Sequence, residues 1–137
     1  MRSNKAPLIS VIINCYNGEQ YLKEAVRSVI NQTFKKWEII FWDNKSEDGS
    51  KEIIKSFKDK RIKYFYSKKH HKLYKARNLA IKKSKGKYIC FLDVDDTWLK
   101  NKLKIQISQL LYNKPSAISS KPAILIDRSG FAIFPSQ

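Results

Sequence analysis

The stretch Tyr88-Ile-Cys-Phe-Leu-Asp93-Val-Asp95-Asp96 decides how the rest of the chain is interpreted. Its apolar run, residues 89–92, predicts a buried strand. Three carboxylates follow within four residues, and like charges this close repel one another unless a cation lies between them. Because Mg²⁺ and Mn²⁺ prefer oxygen ligands, we predict a metal site on Asp93 and Asp95 at the end of a strand. Asp96 is expected to cap the helix that follows.

Apolar runs alternate with amphipathic segments along most of the chain. Strands are predicted at residues 8–13, 37–42, 61–66 and 87–92. Helical spacing of apolar residues predicts a first helix that begins after Asn17 and carries apolar residues from 22 to 30, and further helices around 53–57, at 74–84 and at 98–112. Asn17 is expected to cap the first helix and Gly86 to end the third. A hairpin is predicted from residues 123–126 and 131–134, with its turn at 127–130. This order predicts an α/β fold with a mainly parallel sheet and helices on both faces.

The bulk composition bounds the class of protein. A chain of 137 residues with 42% hydrophobic residues predicts a single domain spanning 1–137. The sequence has no apolar run of membrane-spanning length, and its first apolar segment is too short for a secretion signal. We therefore expect a cytoplasmic protein. Cys15 and Cys90 fall in different predicted strands and are expected to be buried free thiols.

The charge is strongly positive, with 28 Lys and Arg against 12 Asp and Glu and a net charge of +16. Such a field attracts polyanions. Because basic residues occur in every segment, we rank compositional bias first among the explanations. Peripheral association with an anionic membrane, at its inner face, ranks second and nucleic acid third. The sequence carries no nucleic-acid recognition motif, so no nucleic-acid partner is expected.

Polar residues follow three of the predicted strands. They are Asn14-Cys-Tyr16-Asn17 after the first strand, Asp43-Asn44-Lys-Ser46 after the second and the acidic stretch after the fourth. The carboxyl ends of parallel strands meet at one edge of a sheet, where ligands bind. An aromatic ring, amides and carboxylates in one crevice suit a nucleoside diphosphate with its metal. Each residue alone has an ordinary structural explanation, and only their coincidence favours the functional one. The glycine patterns of dinucleotide and P-loop sites are absent from the sequence.

Five sequence motifs are similar to those of family 2 glycosyltransferases, in the same order and spacing. They are Pro7-Leu-Ile-Ser-Val-Ile-Ile-Asn-Cys-Tyr-Asn17, Ser28-Val-Ile-Asn-Gln-Thr33, Trp42-Asp-Asn-Lys-Ser-Glu-Asp-Gly49, Ala76-Arg-Asn78 and Gly86-Lys-Tyr-Ile-Cys-Phe-Leu-Asp-Val-Asp-Asp96. The resemblance runs from about Pro7 to Asn113. It implies the Rossmann-like GT-A fold and the transfer of a sugar from a UDP- or dTDP-sugar. The acceptor would be a glycan or lipid-linked molecule in cell-surface polysaccharide biosynthesis.

The resemblance also assigns roles to individual residues. It implies a nucleotide-sugar site made of Asn14, Tyr16, Asp43, Asn44, Arg77 and Asp93. Tyr16 would stack on or border the base, Asp43 and Asn44 would face the nucleoside, and Arg77 would reach the base or the phosphates. Asp95, with Asp93 near the ribose, would hold Mn²⁺ or Mg²⁺. The family often has a second Asp at the position of Asn44, which leaves the base preference open.

The acceptor half of the family's fold normally follows the central strands and supplies a general-base carboxylate. This sequence ends soon after the predicted hairpin, so we expect a fold truncated after its first half and without a catalytic base. Asp127 lies in the predicted turn and is not expected to act as one. Apolar surface left uncovered would favour self-association. The alternative function is a non-catalytic nucleotide-sugar-binding module.

Overall fold

The computed structural model describes residues 6–111, 125–127 and 132–133. Strands in this part of the chain are β1 (Ile9–Cys15), β2 (Trp37–Asp43), β3 (Ile62–Tyr66), β4 (Tyr88–Phe91), β5 (Leu125–Asp127) and β6 (Ala132–Ile133). The helices are α1 (Leu22–Ile30), α2 (Ser50–Ser56), α3 (Leu73–Lys83) and α4 (Lys102–Leu111). None of the helices in the described ranges is long and apolar enough to cross a bilayer.

All these strands belong to one sheet, in the order β3-β2-β1-β4-β5-β6. Strands β1 to β4 are parallel, whereas β5 runs antiparallel to β4 and β6 antiparallel to β5. Strand β1 is central, with Ile9 opposite Trp37 on one side and Tyr88 on the other. The carboxyl ends of β1, β2 and β4 therefore lie side by side, as the sequence predicted.

Helices cover both faces of the sheet. Helices α1, α2 and α4 pack on one face, where Val11 and Phe41 belong to the larger apolar cluster. Helix α3 covers the opposite face with Ala76 and Ala80 against Ile12. Because β1 is buried on both faces, nearly every one of its residues is excluded from water, which explains its continuous apolar run. The predicted layer arrangement is confirmed.

Two predicted helix starts are wrong. Asn17 does not cap α1, whose N-cap residue is Tyr21 and makes no side-chain capping bond. Helix α4 begins at Lys102, four residues later than predicted. The delay has a tertiary cause, because the Gln32 side chain donates to the Leu99 carbonyl at 2.7 Å and holds that segment outside the helix. Asp96 is therefore too far from the helix to cap it.

Gly86 has a different role from the predicted helix end, since the C-cap residue of α3 is Ser84. A Cβ atom at Gly86 would lie 2.6 Å from the backbone nitrogen of Ser10. The Gly86 N–H donates to Ser10 Oγ at 2.8 Å, and Ser10 Oγ donates to Glu38 Oε2 at 2.6 Å. The Lys85 backbone N–H also donates to Glu38. We call Ser10, Glu38, Lys85 and Gly86 the amino-edge network.

The predicted hairpin is present as two short antiparallel strands, β5 and β6. Asp127 is the last residue of β5 and pairs with Tyr88, so its predicted place in the turn is wrong. Residues 128–130 and the loop predicted around 115–122 lie outside the described residues.

Candidate functional site

The loops that follow β1 and β2 are joined by hydrogen bonds. The Asn17 N–H donates to Ser46 Oγ at 2.8 Å, and the Glu47 N–H donates to Asn17 Oδ1 at 2.8 Å. Asn17 and Lys45 have φ angles of 51° and 70°, a left-handed conformation that only such surrounding contacts hold in place for non-glycine residues. Both loop backbones are therefore fixed without any ligand.

The loop after β4 lies against the loop after β1 at Gly18. A Cβ atom at this position would come within 3.0 Å of Cys15 Sγ and 3.1 Å of Val94 Cγ2. The Gly18 N–H donates to Ser50 Oγ at 3.0 Å, which ties the same loop to the start of α2. The three strand ends predicted to carry polar ligands thus meet at one edge of the sheet.

Asp43 is the buried acid of this edge and is only 1% exposed. Its Oδ1 accepts from the Ser46 N–H at 2.8 Å, and its Oδ2 accepts from the Tyr64 hydroxyl at 2.7 Å. Burial, together with the hydrogen bond to Asp43, raises the pKa of Tyr64, so this phenol stays a donor at neutral pH. Each carboxylate oxygen has a second acceptor site, and Asp43 retains capacity for a ligand donor.

Asn44 uses its side chain within the protein. Its Nδ2 donates to the His71 carbonyl at 2.8 Å and its Oδ1 accepts from the His71 N–H at 3.1 Å. The side chain is thus paired with the backbone of the loop that leads into α3. This arrangement favours a role in positioning that loop.

His70 is a site residue that the sequence reasoning missed. Its ring centroid lies 4.3 Å from that of Tyr16, with the rings inclined at 69°, and its Nδ1 lies 3.1 Å from the Asn44 carbonyl oxygen. Tyr16 remains 49% exposed. We call this pair the Tyr16–His70 corner. The sequence placed His70 only in a lysine-rich loop, and no local pattern signalled its contact with a residue 54 positions earlier.

Arg77 and Asn14 lie at the same edge of the sheet. The Arg77 guanidinium lies over the Phe91 ring, 4.9 Å from its centroid, and one of its nitrogens is 3.5 Å from Asp93 Oδ1. Among the described residues, Asn14 Nδ2 is one of few buried side-chain donors with no hydrogen-bond partner. A buried donor costs free energy until it is bonded, so Asn14 is suited to a ligand acceptor.

Asp93, Asp95 and Asp96 form an exposed cluster, which we call the acidic loop. One carboxylate oxygen from each residue lies within 4.8 Å of the others. The Asp96 N–H donates to the Asp93 carbonyl at 3.0 Å, and this turn brings the side chains together. An all-oxygen ligand set fits Mg²⁺ or Mn²⁺. Asp96, predicted as a helix cap, joins the metal candidates instead.

The two cysteines are buried free thiols, as predicted. Burial raises the pKa of Cys15 and raises that of Cys90 to about 12. Both thiols are therefore protonated at neutral pH and are poor nucleophiles.

A mainly parallel α/β sheet whose carboxyl edge carries an aromatic corner, a buried acid and an acidic loop places the chain among the open-sheet α/β proteins, which bind their ligands at this edge. Comparison with known sequences specifies the family. The sequence profile of Glycosyl transferase family 2 matches residues 10–129, and the chain belongs to this family.

Relatives and solved structures agree with this assignment. The UDP-Glc:alpha-D-GlcNAc-diphosphoundecaprenol beta-1,3-glucosyltransferase WfgD of Escherichia coli is 36% identical over 122 residues, 89% of this chain and 48% of that protein. TarS 1–349 of S. aureus, crystallised with UDP, has a TM-score of 0.70 and 29% identity over 76% of this chain and 32% of that one. The mannosyltransferase PcManGT from Pyrobaculum calidifontis, in complex with GDP-Man and Mn²⁺, has a TM-score of 0.71 over 85% of this chain and 36% of that one.

PcManGT is 18% identical to this chain, so its likeness shows the fold alone. The expected family and its GT-A fold are confirmed. The chain matches 44–48% of the length of WfgD and of two further curated glycosyltransferases, and as little as 14% of another.

Proposed function

We propose that this chain binds the nucleotide-sugar donor of a glycosyltransferase that transfers a sugar from a UDP- or dTDP-sugar to a glycan or lipid-linked acceptor. The pathway would be cell-surface polysaccharide biosynthesis. One observation carries the proposal: three polar strand ends meet at one sheet edge, beside an acidic loop that is open to solvent. Membership of the family supports it, as does the UDP bound by TarS.

The nucleoside would lie at the end of β1 and β2. In this proposal the base contacts the exposed ring of Tyr16 at the Tyr16–His70 corner. Asp43 and the unpaired amide of Asn14 supply an acceptor and a donor for the nucleoside. Asn44 acts indirectly, because its amide fixes the loop that carries His70.

The diphosphate would lie towards the acidic loop. Asp95 would hold Mn²⁺ or Mg²⁺, with Asp93 near the ribose and Arg77 on the same side. A bound divalent cation would supply neutralisation of the charge that develops on the leaving diphosphate. The Arg77 guanidinium adds positive charge there without proton transfer, since arginine stays protonated.

Asp127 does not fit the role of catalytic base. It pairs with Tyr88, the first residue of β4, whereas Asp93 lies two residues beyond Phe91, the last residue of that strand. At about 3.3 Å per residue, the length of β4 separates Asp127 from the acidic loop. An acceptor hydroxyl must lie within hydrogen-bond reach of its base, so the proposal assigns donor binding to this chain and no base to Asp127.

The chain is also proposed to associate peripherally with an anionic membrane at its inner, cytoplasmic face. The net charge of +16 supports this. The name of WfgD describes a diphosphoundecaprenol acceptor, and an acceptor of that lipid-linked kind would be held at a membrane.

Calorimetric titration with UDP and dTDP, each with and without Mn²⁺, tests the donor site. We expect metal-dependent binding, and the tighter nucleotide identifies the donor class. Asp95→Ala should lower the metal-dependent affinity roughly 100-fold, because it removes a metal ligand. Stability should change little, because the substitution removes repulsion at an exposed loop.

Glu52→Ala, at an exposed acid on α2, is the matched control and should bind as the wild type does. Unchanged affinity in Asp95→Ala would refute the metal assignment, and absence of binding to either nucleotide would refute the donor site. Assays with UDP-sugars would then separate transfer from binding alone, which is the behaviour of a non-catalytic module.

A further inference from the structure

Most of the chain's excess positive charge comes from one segment. Residues 60–92 contain 12 Lys and Arg and no Asp or Glu, so they supply +12 of the net +16. This segment contains β3, α3 and β4. The run is bounded by Asp59 and Asp93, so no acid within it offsets its charge.

The folded structure places several of these charges on the face covered by α3, although Arg61 lies over Trp37 of the opposite-face cluster. Phe65 of β3 packs with the α3 cluster, and Lys63 lies two residues earlier in the same strand and therefore on the same face. The Lys83 ammonium lies over the Phe65 ring, 5.4 Å from its centroid. Lys75 and Lys82 are both exposed, and their spacing of two helical turns puts them on one side of α3. Lys72 is the exposed N-cap residue.

Exposed acids are scarce beside these lysines in the described part of the chain, where the Asp93 carboxylate lies 3.5 Å from the Arg77 guanidinium of α3. Among the described residues of β1 to β4, Glu38 is the acid whose side chain lies on this face, and it is 4% exposed within the amino-edge network. The opposite face differs, because α1 and α2 carry the exposed acids Glu24 and Glu52 among their basic residues. Helix α3 alone carries four basic residues and no acid, whereas α1, α2 and α4 together spread six basic residues and two acids over the opposite face.

Apolar side chains accompany the lysines at the start of α3. Leu73 is 55% exposed and Tyr74 is 67% exposed. Lysines interleaved with exposed tyrosine and leucine are typical of segments that lie at a membrane interface. A sequence-specific nucleic-acid surface would instead require base-reading groups in a recognised motif.

We infer that this surface docks on an anionic lipid bilayer. The surface, which we call the α3 basic face, consists of Lys63, Lys72, Lys75, Lys82 and Lys83. Leu73 and Tyr74 would enter the headgroup layer. Because the loop before α3 carries His70, docking would hold the proposed donor site close to the bilayer, where a lipid-linked acceptor is presented. The inference rests on the proposed membrane association and does not depend on which nucleotide binds.

Vesicle co-sedimentation of the 137-residue chain tests this inference. Vesicles of phosphatidylcholine alone are compared with vesicles containing one part phosphatidylglycerol to two parts phosphatidylcholine. We expect binding only to the anionic vesicles. Lys75→Gln/Lys82→Gln should weaken it about 30-fold, since each lysine near the surface contributes about 1 kcal/mol. Lys23→Gln/Lys51→Gln removes the same charge from exposed positions on α1 and α2 and should change binding far less.

A second variant separates a bilayer from other polyanions. Leu73→Ser/Tyr74→Ser should weaken vesicle binding and leave binding to single-stranded RNA unchanged. Equal losses in the two lysine variants, or RNA binding tighter than vesicle binding at the same salt, would overturn the inference. UDP titration of every variant shows whether the donor site is intact, so failure of membrane docking is distinguishable from failure of the proposed donor binding.

Discussion

Strand β2 carries a buried acid near each end, and the two differ in what surrounds them. Glu38 is 4% exposed and accepts from Ser10 Oγ and from the Lys85 N–H, both at 2.6 Å. Asp43 is 1% exposed and accepts from the Ser46 N–H and the Tyr64 hydroxyl. The amino-edge network is closed by the backbone packing of Gly86, whereas the carboxyl edge opens onto the Tyr16–His70 corner and the acidic loop. A buried, hydrogen-bonded acid therefore does not by itself identify a binding site. Solvent-exposed polar and aromatic side chains next to the acid are the feature that distinguishes Asp43 from Glu38.

The largest expected effect is at the amino edge. Gly86→Ala should destabilise the protein by about 3 kcal/mol, because the new Cβ would lie 2.6 Å from the Ser10 backbone nitrogen. Urea unfolding measures the loss. Gly49→Ala is the control, since the nearest atom to its Cβ would be Glu19 Oε2 at 3.5 Å. The folded fraction of Gly86→Ala should bind UDP normally, and weaker intrinsic binding would show that the two edges are coupled.

At the carboxyl edge, Asn44→Ala should lower UDP affinity about 10-fold, because two hydrogen bonds to the His71 backbone are lost. Calorimetry gives the affinity, and amide hydrogen exchange of residues 69–72 should become faster. The control is Asn31→Ala, at an exposed amide that follows α1. If exchange in the loop is unchanged, Asn44 does not position it.

A smaller pair of substitutions compares the two acids directly. Tyr64→Phe removes the hydroxyl that donates to Asp43 and should cost about 1 kcal/mol of stability. Ser10→Ala removes the hydroxyl that donates to Glu38 and accepts from the Gly86 N–H, and it should cost about 1–2 kcal/mol. Only Tyr64→Phe should also weaken UDP binding, since only Asp43 lies at the proposed site. Equal effects on UDP affinity would contradict the distinction between the two edges.

The smallest expected effect concerns Asp59, whose carboxylate lies outside both the amino-edge network and the carboxyl edge. The hydrogen bond from the Arg61 side chain is the main reason that the pKa of Asp59 lies below 3.8. A lowered carboxyl pKa stabilises the fold above the unfolded-state value, and this contribution is lost as the pH falls through the folded-state pKa. Asp59→Asn should therefore cost about 0.5 kcal/mol at neutral pH and nothing in strong acid, as urea unfolding at both pH values would show. A difference that persists in acid would exclude this ion pair as the cause.

Several features of the fold could be predicted because they depend on local patterns. The residues of β1 and β2 are mostly apolar, and the apolar residues of α1 keep helical spacing as far as its observed end, Ile30. Boundaries set by distant partners could not be predicted. The side chain of Gln32 holds Leu99 outside α4, and Gly86 contacts Ser10 across 76 residues.

The candidate site, like the fold, has features that local sequence patterns predict and features that depend on distant contacts. The sequence by itself determined the order of the strands, the polar residues at their ends and the excess of lysine, because these depend on composition and periodicity. Only the tertiary structure decided which polar groups are already bonded within the protein. It paired Asn44 with His71, placed His70 against Tyr16 and gathered the lysines around α3 on one face, because hydrogen bonds and charge densities depend on distances between residues that are far apart in the chain.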